Sequence, residues 1–120
     1  MQRIYATEHK GKRILIQDFS NVKSTAEFME LLDETEKMLT SEPKDSVLSI
    51  FDATNMRYSS ESLSRLKGVV QRSDPHMKAT SIIGIKGMMV VALKSASRLV
   101  DRQYYLAKTH EEAMDWLIEQ

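Results

Sequence analysis

The sequence predicts an α/β fold: a single-domain, mixed, mostly parallel five-stranded sheet with an N-terminal β-hairpin and four helices. Three observations support this prediction. Short apolar runs alternate with longer amphipathic segments along the chain, and crossover connections of that kind join parallel strands. A tight turn at Gly11 separates the first two apolar runs and indicates a hairpin. The 120 residues contain no internal repeat and no long linker, so we assign one domain, 1–120.

The predicted order of elements is β-β-α-β-α-β-α-β-α. The apolar runs place the five strands at 4–8, 13–19, 47–51, 79–85 and 103–107. The runs 47–51 and 79–85 are mostly apolar and carry no charge, which is typical of central strands covered on both faces. Each helix shows apolar residues spaced to form one face: Phe28, Leu31, Leu32, Thr35 and Leu39; Leu63, Leu66, Val69 and Val70; Met89, Leu93, Ala96 and Val100; Ala113, Trp116 and Leu117.

Polar residues mark where the helices begin. Ser24 and Thr109 are each followed three positions later by a glutamate, which predicts a reciprocal capping box at the first and last helices. Ser59 and Ser60 stand at the start of the second helix, and Gly87 stands at the start of the third. Pro43 and Pro75 cannot continue a helical hydrogen-bond ladder, so the first two helices end before them.

Composition limits the classes of function. Lys plus Arg and Asp plus Glu both number 17, so the formal net charge is zero, which argues against a general nucleic-acid binder. A neutral surface also favours self-association. The chain has no cysteine, which excludes disulfides and thiolate chemistry and fits a cytoplasmic protein. We find neither a signal-peptide pattern nor an apolar run long enough for a membrane span, and we expect neither.

Four segments together resemble one known family. They are Ile16-Gln17-Asp18-Phe19-Ser20, Val47-Leu48-Ser49-Ile50-Phe51-Asp52-Ala53-Thr54, Ala79-Thr80-Ser81-Ile82-Ile83-Gly84-Ile85-Lys86-Gly87 and Glu112-Ala113-Met114-Asp115-Trp116-Leu117. On these segments the chain resembles the SpoIIAA-like, or STAS/SEC14-type, family over nearly its whole length. The resemblance implies the fold predicted above. It also implies a regulatory or interaction module rather than an enzyme.

The resemblance also draws attention to a serine pair. Anti-sigma-factor antagonists of this family present a phosphorylated serine at a helix start within an Asp-Ser-Ser-Gly turn. The matching positions here are Tyr58, Ser59, Ser60 and Glu61, so both serines are present and the flanking Asp and Gly are not. Ser59 and Ser60 are therefore either helix caps, the more common role, or phosphoacceptors whose dianion the helix N-terminus would stabilise.

Charged residues follow three predicted strands. Asp18, Asp52 and Lys86 all lie near carboxyl ends of strands, the edge where open α/β sheets bind ligands. They could hold a metal and a phosphoryl group, or they could simply be polar residues that end strands. The turn from Gly84 to Gly87 could likewise cradle an anion. Because no His, Cys or acidic cluster has ligand spacing, we predict no metal and no cofactor.

The histidines carry no recognisable motif. His9, His76 and His110 lie in turns or at a helix start, and no two of them have the spacing of a metal-binding pair. We therefore predict that all three are surface residues without a catalytic role.

The third helix is apolar around much of its circumference. The run from Met88 to Leu93 contains six successive apolar residues, and one sheet-facing stripe hides only about half of a helix. The remaining side chains, such as Met88 and Val91, would lie in a homodimer interface, in a contact with a protein partner or in the wall of an apolar ligand pocket. Burial by the last helix is the alternative.

The sequence thus leads to one preferred functional prediction and two alternatives. The preferred prediction is a non-catalytic regulatory or protein-interaction module that forms a homodimer. The first rival is a small-molecule or lipid-binding carrier of the SEC14 type, which an apolar cavity beside the third helix would favour. The second is a metal-assisted phosphoryl-transfer or hydrolytic enzyme using Asp18 and Asp52, which a polar cleft joining them to Lys86 would favour.

Overall fold

The computed structural model contains one five-stranded sheet and describes residues 2–100, 102 and 104–120, apart from the side chains at positions 96 and 99. The strands are β1 (Ile4–His9), β2 (Lys12–Asp18), β3 (Val47–Asp52), β4 (Met77–Ile83) and β5 (Tyr105–Ala107). The helices are α1 (Thr25–Thr40), α2 (Ser60–Ser73), α3 (Met88–Val100) and α4 (His110–Leu117), and a short 3-10 turn, Asp74–His76, follows α2.

The strands lie in the sheet in the order in which they occur in the chain. β1 is antiparallel to β2, and every later neighbouring pair is parallel. The predicted fold class, the hairpin and the internal positions of β3 and β4 are thereby confirmed. The hairpin turns through Lys10 and Gly11, whose φ values of 50° and 84° are both positive, as a two-residue turn between antiparallel strands requires.

The bounds of β1, β2 and β3 agree with the prediction to within one residue at each end, and β4 and β5 differ by two. β4 begins and ends two residues earlier than expected, because Gly84 adopts a φ of +78° that extended backbone cannot continue. β5 is shorter than expected and begins at Tyr105, and position 103, where we predicted its start, lies outside the described residues.

The sequential strand order decides which helices cover which face. Each right-handed crossover moves the chain one strand in the same direction, so the three crossover helices fall on the same face of the sheet. α1, α2 and α3 indeed pack side by side, and α4 packs on the opposite face against β3, β4 and β5. The molecule therefore has three layers, with a sheet buried on both sides.

The two faces have separate cores. The core under α1–α3 is built on three aromatic residues, with Phe19, which follows β2, stacked on Phe51 at 4.7 Å between ring centroids and edge-on to Phe28 at 5.3 Å. A smaller cluster joins Leu15, Leu39, Val47 and Met77. The core under α4 joins Ile14, Ile16, Leu48, Ile50, Ala79, Ile83, Ala107, Ala113 and Leu117. β2 and β3 place apolar residues on both faces, which explains their largely apolar sequences.

The helix caps were predicted only in part. Ser24 and Thr109 accept hydrogen bonds from the backbone N–H groups of Glu27 and Glu112, so both are N-caps. The predicted reciprocal bond from the glutamate is absent at both helices, and at α4 Glu112 accepts from the N–H of Lys108 and from the hydroxyl of Tyr105 instead. The complete box occurs at α2, between Ser59 and Ser62.

No helix within the described ranges combines the length and the hydrophobicity that crossing a membrane requires.

Gly84 allows two loops to meet closely. A Cβ atom at this position would lie 2.7 Å from Thr54 Cα and 2.8 Å from Thr54 N, which are backbone atoms that cannot swing aside. Gly11 shares a positive φ, at +84°, but a Cβ there would meet nothing within 4 Å. A comparison of alanine substitutions at the two glycines therefore separates the cost of backbone strain from the cost of steric clash.

We expect Gly84→Ala to lower the free energy of unfolding by at least about 2 kcal/mol more than Gly11→Ala does, because both variants carry the left-handed strain and only the first forces backbone atoms apart. Urea unfolding followed by circular dichroism measures both losses. Equal losses would contradict the close packing of Gly84 on Thr54.

Candidate functional site

The carboxyl edge of the sheet brings two aspartates together. Asp18 ends β2 and Asp52 ends β3, and the two residues are direct partners in the parallel register. The pairing continues beyond the strands, since the N–H of Phe19 donates to the carbonyl of Asp52 at 2.9 Å and that of Asn21 to the carbonyl of Thr54 at 2.8 Å. The sequence analysis placed both carboxylates at this edge, and the structure agrees.

Each carboxylate is bonded within its own loop. Asp18 Oδ1 accepts hydrogen bonds from the backbone N–H and the hydroxyl of Ser20, and Asp52 Oδ1 accepts from the same two groups of Thr54. The two Asp-x-Ser/Thr sequences thus form Asx turns that end neighbouring strands in the same way. These contacts give both residues the loop-capping role that was one of the two alternatives for them.

Asp52 also receives a histidine from a distant part of the chain. Nε2 of His110, the first residue of α4, lies 2.8 Å from Asp52 Oδ2. Burial raises the pKa of Asp52, but hydrogen bonds from His110 and Thr54 outweigh it and hold the pKa below its ordinary value. A carboxylate whose pKa is lowered is a weak proton acceptor, so this arrangement suits a structural anion better than a general base.

All three histidines are partly buried and bonded, which corrects the prediction that they are ordinary surface residues. His9 lies 2.8 Å from Asp115 of α4, and His76 Nδ1 lies 2.7 Å from the carbonyl of Glu42. No local pattern could have shown these contacts, because 106 residues separate His9 from Asp115 and 58 separate Asp52 from His110. The feature of the sequence that could have indicated these contacts is the predicted topology, in which α4 follows the last strand and packs back on the sheet.

Lys86 does not complete a polar cleft with the aspartates. It is exposed in the turn after β4, and the hydrogen bonds of Asp18 and Asp52 go to their own loops, to Arg3 and to His110 instead. Within the described residues, no group of three or more His, Asp or Glu side chains is placed to hold a metal ion.

The two serines of the α2 start have different environments. Ser59 is the N-cap and is partly buried, and its hydroxyl accepts from the N–H of Ser62 while Ser62 Oγ accepts from the N–H of Ser59. Ser60 is exposed at the first position of α2. Ser60 is thus the more accessible hydroxyl, and its phosphorylation stays a prediction.

Apolar side chains are exposed around the start of α3. Met88 is 64% exposed and Val91 is 58% exposed, whereas Met89 and Leu93 are buried against the sheet. Tyr58, which is 37% exposed, lies beside the residue that precedes α3, because its hydroxyl is 3.9 Å from the position that a Cβ atom of Gly87 would occupy. We call Tyr58, Met88 and Val91 the α3 patch.

A groove runs along the other flank of α3, between this helix and β5. It has a volume of about 350 Å³ and is lined on one side by Val90, Lys94 and Arg98 and on the other by Tyr104 and Leu106. Leu106 is 54% exposed on the outermost strand. The groove is the cavity beside the third helix that the carrier hypothesis requires.

Comparisons with known proteins support the fold and do not assign a function. No protein-family model and no curated protein matches the sequence. A solved structure from Shewanella loihica PV-4, an uncharacterised protein of the DUF3478 family with a SpoIIAA-like fold, matches with a TM-score of 0.74. The match covers 95% of this chain and 91% of that chain at 15% identity. The chain has a SpoIIAA-like fold. The resemblance seen in the sequence is confirmed at the level of fold.

We expect Asp52→Asn to lower the free energy of unfolding at pH 7 by about 2 kcal/mol, because the amide leaves buried donors poorly paired. Since the folded-state pKa is lowered, the contribution of the carboxylate is complete above the unfolded-state value of about 3.9 and is lost as pH falls through the folded-state value. The difference in unfolding free energy between wild type and variant should therefore become smaller at acidic pH. Urea unfolding at several pH values measures this difference.

Glu34→Gln is the control, because it removes the same charge from an exposed position of α1. It should leave stability nearly unchanged across the same pH range. If the loss of unfolding free energy in Asp52→Asn does not change with pH, the carboxylate charge does not stabilise the carboxyl edge of the sheet.

Proposed function

We propose that this chain is a non-catalytic protein-interaction module that pairs with a second copy of itself through the α3 patch. The observation that carries the proposal is the exposure of Met88 and Val91, 64% and 58%, on a helix whose opposite side is already buried. Large apolar side chains exposed together are typical of interaction sites.

The overall charge favours a second copy as the occupant. The formal net charge is zero, so two copies meet without long-range repulsion. Lys86 is exposed before α3, and Lys94 and Arg98 are exposed later along it, so the uncharged part of the helix is its N-terminal end. A two-fold axis beside this end would bury Met88 and Val91 against the same residues of the partner, and twofold pairing is the commonest closed arrangement.

The carboxyl edge supports a non-catalytic role. Asp52 and Asp18 stabilise the loops that lead into α2 and α1, and the lowered pKa of Asp52 makes it a poor general base. The enzyme hypothesis required these carboxylates to face a shared cleft with Lys86. Their hydrogen bonds are instead directed to the protein itself.

The position of Ser60 supports regulation of the pairing. Ser60 is exposed two residues after Tyr58, which belongs to the α3 patch. A phosphoryl group at Ser60 would add nearly two negative charges beside an apolar contact and would weaken it by desolvation and by repulsion between the two copies.

A second candidate function is a carrier of small apolar molecules. The groove between α3 and β5 favours it, because Ile85, Val90 and Leu106 supply an apolar lining and Lys94 and Arg98 supply cations that could hold an acidic head group. This candidate predicts that Leu106→Lys abolishes uptake of an apolar fluorescent probe and leaves the mass of the particle unchanged.

We expect wild type to sediment as a dimer at tens of micromolar, and Met88→Lys and Val91→Lys each to raise the dissociation constant at least about tenfold. Each substitution places an ammonium group in an apolar contact on both sides of the axis, and desolvating that charge opposes pairing. Sedimentation velocity over a concentration series measures the shift.

Gln71→Lys is the matched control, because it adds the same charge at an exposed position of α2 outside the α3 patch. It should leave the dissociation constant within about twofold of wild type. A monomeric wild type, or equal weakening by all three variants, would refute pairing through the α3 patch.

A further inference from the structure

A cavity lies in the core on the face of the sheet that α1, α2 and α3 cover. Its volume is about 60 Å³, and its polar lining comes from Gln17, Thr35, Ser49, Ser73, Thr80 and Tyr104. The rest of the lining is mostly apolar and includes Leu66, Val69 and Leu93. Its position, beneath helices rather than at the carboxyl edge of the sheet, separates it from Asp18 and Asp52.

The strand register explains why polar residues meet there. Ser49 pairs with Thr80 across β3 and β4, and Gln17 of β2 lies diagonally from Ser49, since its own partner is Phe51. Gln17 alternates with Leu15 and Phe19, which belong to cores on this face of the sheet. A row of uncharged polar side chains therefore crosses three central strands within an otherwise apolar layer.

Two buried polar atoms of this lining lack partners. Gln17 is 2% exposed and Thr35 is 4% exposed, and neither Gln17 Nε2 nor Thr35 Oγ1 has a hydrogen-bond partner among the residues that the structure describes. Exchanging the amide atoms of Gln17 does not remove the problem, because Oε1 already accepts from the hydroxyl of Ser49 and only one of the two atoms can face it. Buried polar groups are nearly always satisfied, so these two point to an occupant.

The lining limits the chemistry of the occupant. Among the described residues that line the cavity, all six polar side chains are uncharged and none is acidic or basic, so an ion would lose its hydration without a counter-charge from them. The unpartnered Gln17 amide N–H can only donate and the Thr35 hydroxyl can donate as well as accept, so an acceptor oxygen satisfies both. The apolar remainder of the lining suits a short hydrocarbon portion.

The volume limits the size. One water needs roughly 10–15 Å³ of such space, and a cavity of roughly 150 Å³ admits benzene. A cavity of about 60 Å³ lies between the two and suits a molecule of roughly three to five non-hydrogen atoms.

The cavity adjoins the groove between α3 and β5. Ile82, Leu93 and Tyr104 line both spaces, so the groove is the nearest surface opening along these residues.

We propose that this cavity is a binding site for a small uncharged molecule whose carbonyl or hydroxyl oxygen accepts hydrogen bonds from Gln17 Nε2 and Thr35 Oγ1. The site is independent of pairing through the α3 patch. Ordered water offers the same acceptor chemistry, so the experiment must distinguish an organic molecule from water.

Acetone is a suitable probe, because it has one acceptor oxygen and four non-hydrogen atoms. Titration of ¹⁵N-labelled protein should shift the Gln17 side-chain NH₂ resonances saturably, with a dissociation constant between about 0.1 and 10 mM. Xenon, which cannot accept a hydrogen bond, should not shift these resonances in the same direction.

Substitutions at Thr35 identify the contact. Thr35→Val should weaken acetone binding about fivefold, the equivalent of one net hydrogen bond of about 1 kcal/mol, and Thr35→Ser should retain binding within about twofold. Thr40→Val, an exposed substitution on the same helix, is the control and should change nothing.

Three results would overturn the proposal. The first is no saturable shift at Gln17. The second is equal binding by wild type and Thr35→Val. The third is a nuclear Overhauser effect from bound water to the Gln17 amide that persists at the highest acetone concentration, because it would show that water alone occupies the cavity.

Discussion

The carboxylate of Asp52 is the interaction on which the arrangement of the carboxyl edge depends. It ends the central strand β3, fixes Thr54 through two hydrogen bonds at 2.7 and 3.0 Å, and holds His110 at 2.8 Å. Thr54 in turn packs so closely on the residue after β4 that only a glycine fits there. This residue, Gly84, begins the turn that leads into α3. One side chain thus connects the second, third and fourth helices to the same point of the sheet.

The contact with His110 has a particular role because α4 is short. The sequential strand order commits α1, α2 and α3 to one face, so the eight residues of α4 must cover much of the other. A helix of that length is unstable alone and is held by its surroundings. The hydrogen bond between His110 and Asp52 fixes the first residue of α4, and the hydrogen bond between His9 and Asp115 fixes its second half. Trp116 stacks on Tyr105 with ring centroids 4.7 Å apart.

The same order accounts for the exposed surface of α3. This helix is the last of the three on its face and packs against α2. Among the described residues, β5 with its three residues is the element beside its far flank, which leaves the groove, and no described element covers its solvent side, which leaves Met88 and Val91 exposed. The fold therefore supplies the α3 patch and the groove together, and they favour different functions.

The sequence predicted those features that depend on local pattern or on strand order. Mostly apolar runs without charge identified β3 and β4 as internal strands, Ser24 and Thr109 identified helix starts, and six apolar residues in succession predicted excess apolar surface on α3. The exposure of Met88 and Val91 is the visible result of that excess. The register also brought Asp18 and Asp52 together as strand ends predict.

The remaining features depend on contacts between distant residues, and no local pattern encodes them. His110 belongs to a sequence that predicts a helix start, and nothing near it indicates that the helix returns to Asp52. Gln17 lies in an apolar strand, where it could equally have faced solvent at the strand end. The Gln17 amide lines a cavity because Gln17 lies diagonally from Ser49 in the sheet and Thr35 of α1 lines the same space.

A single introduced cysteine tests pairing through α3 most directly, because the natural chain has none and any disulfide must join two copies. Val91→Cys is compared with Gln71→Cys under the same mild oxidant. If two copies pair with Val91 beside the axis, Val91→Cys forms a covalent dimer rapidly and at low protein concentration, and Gln71→Cys forms one slowly and in proportion to concentration. Equal rates for the two variants would contradict the proposed interface.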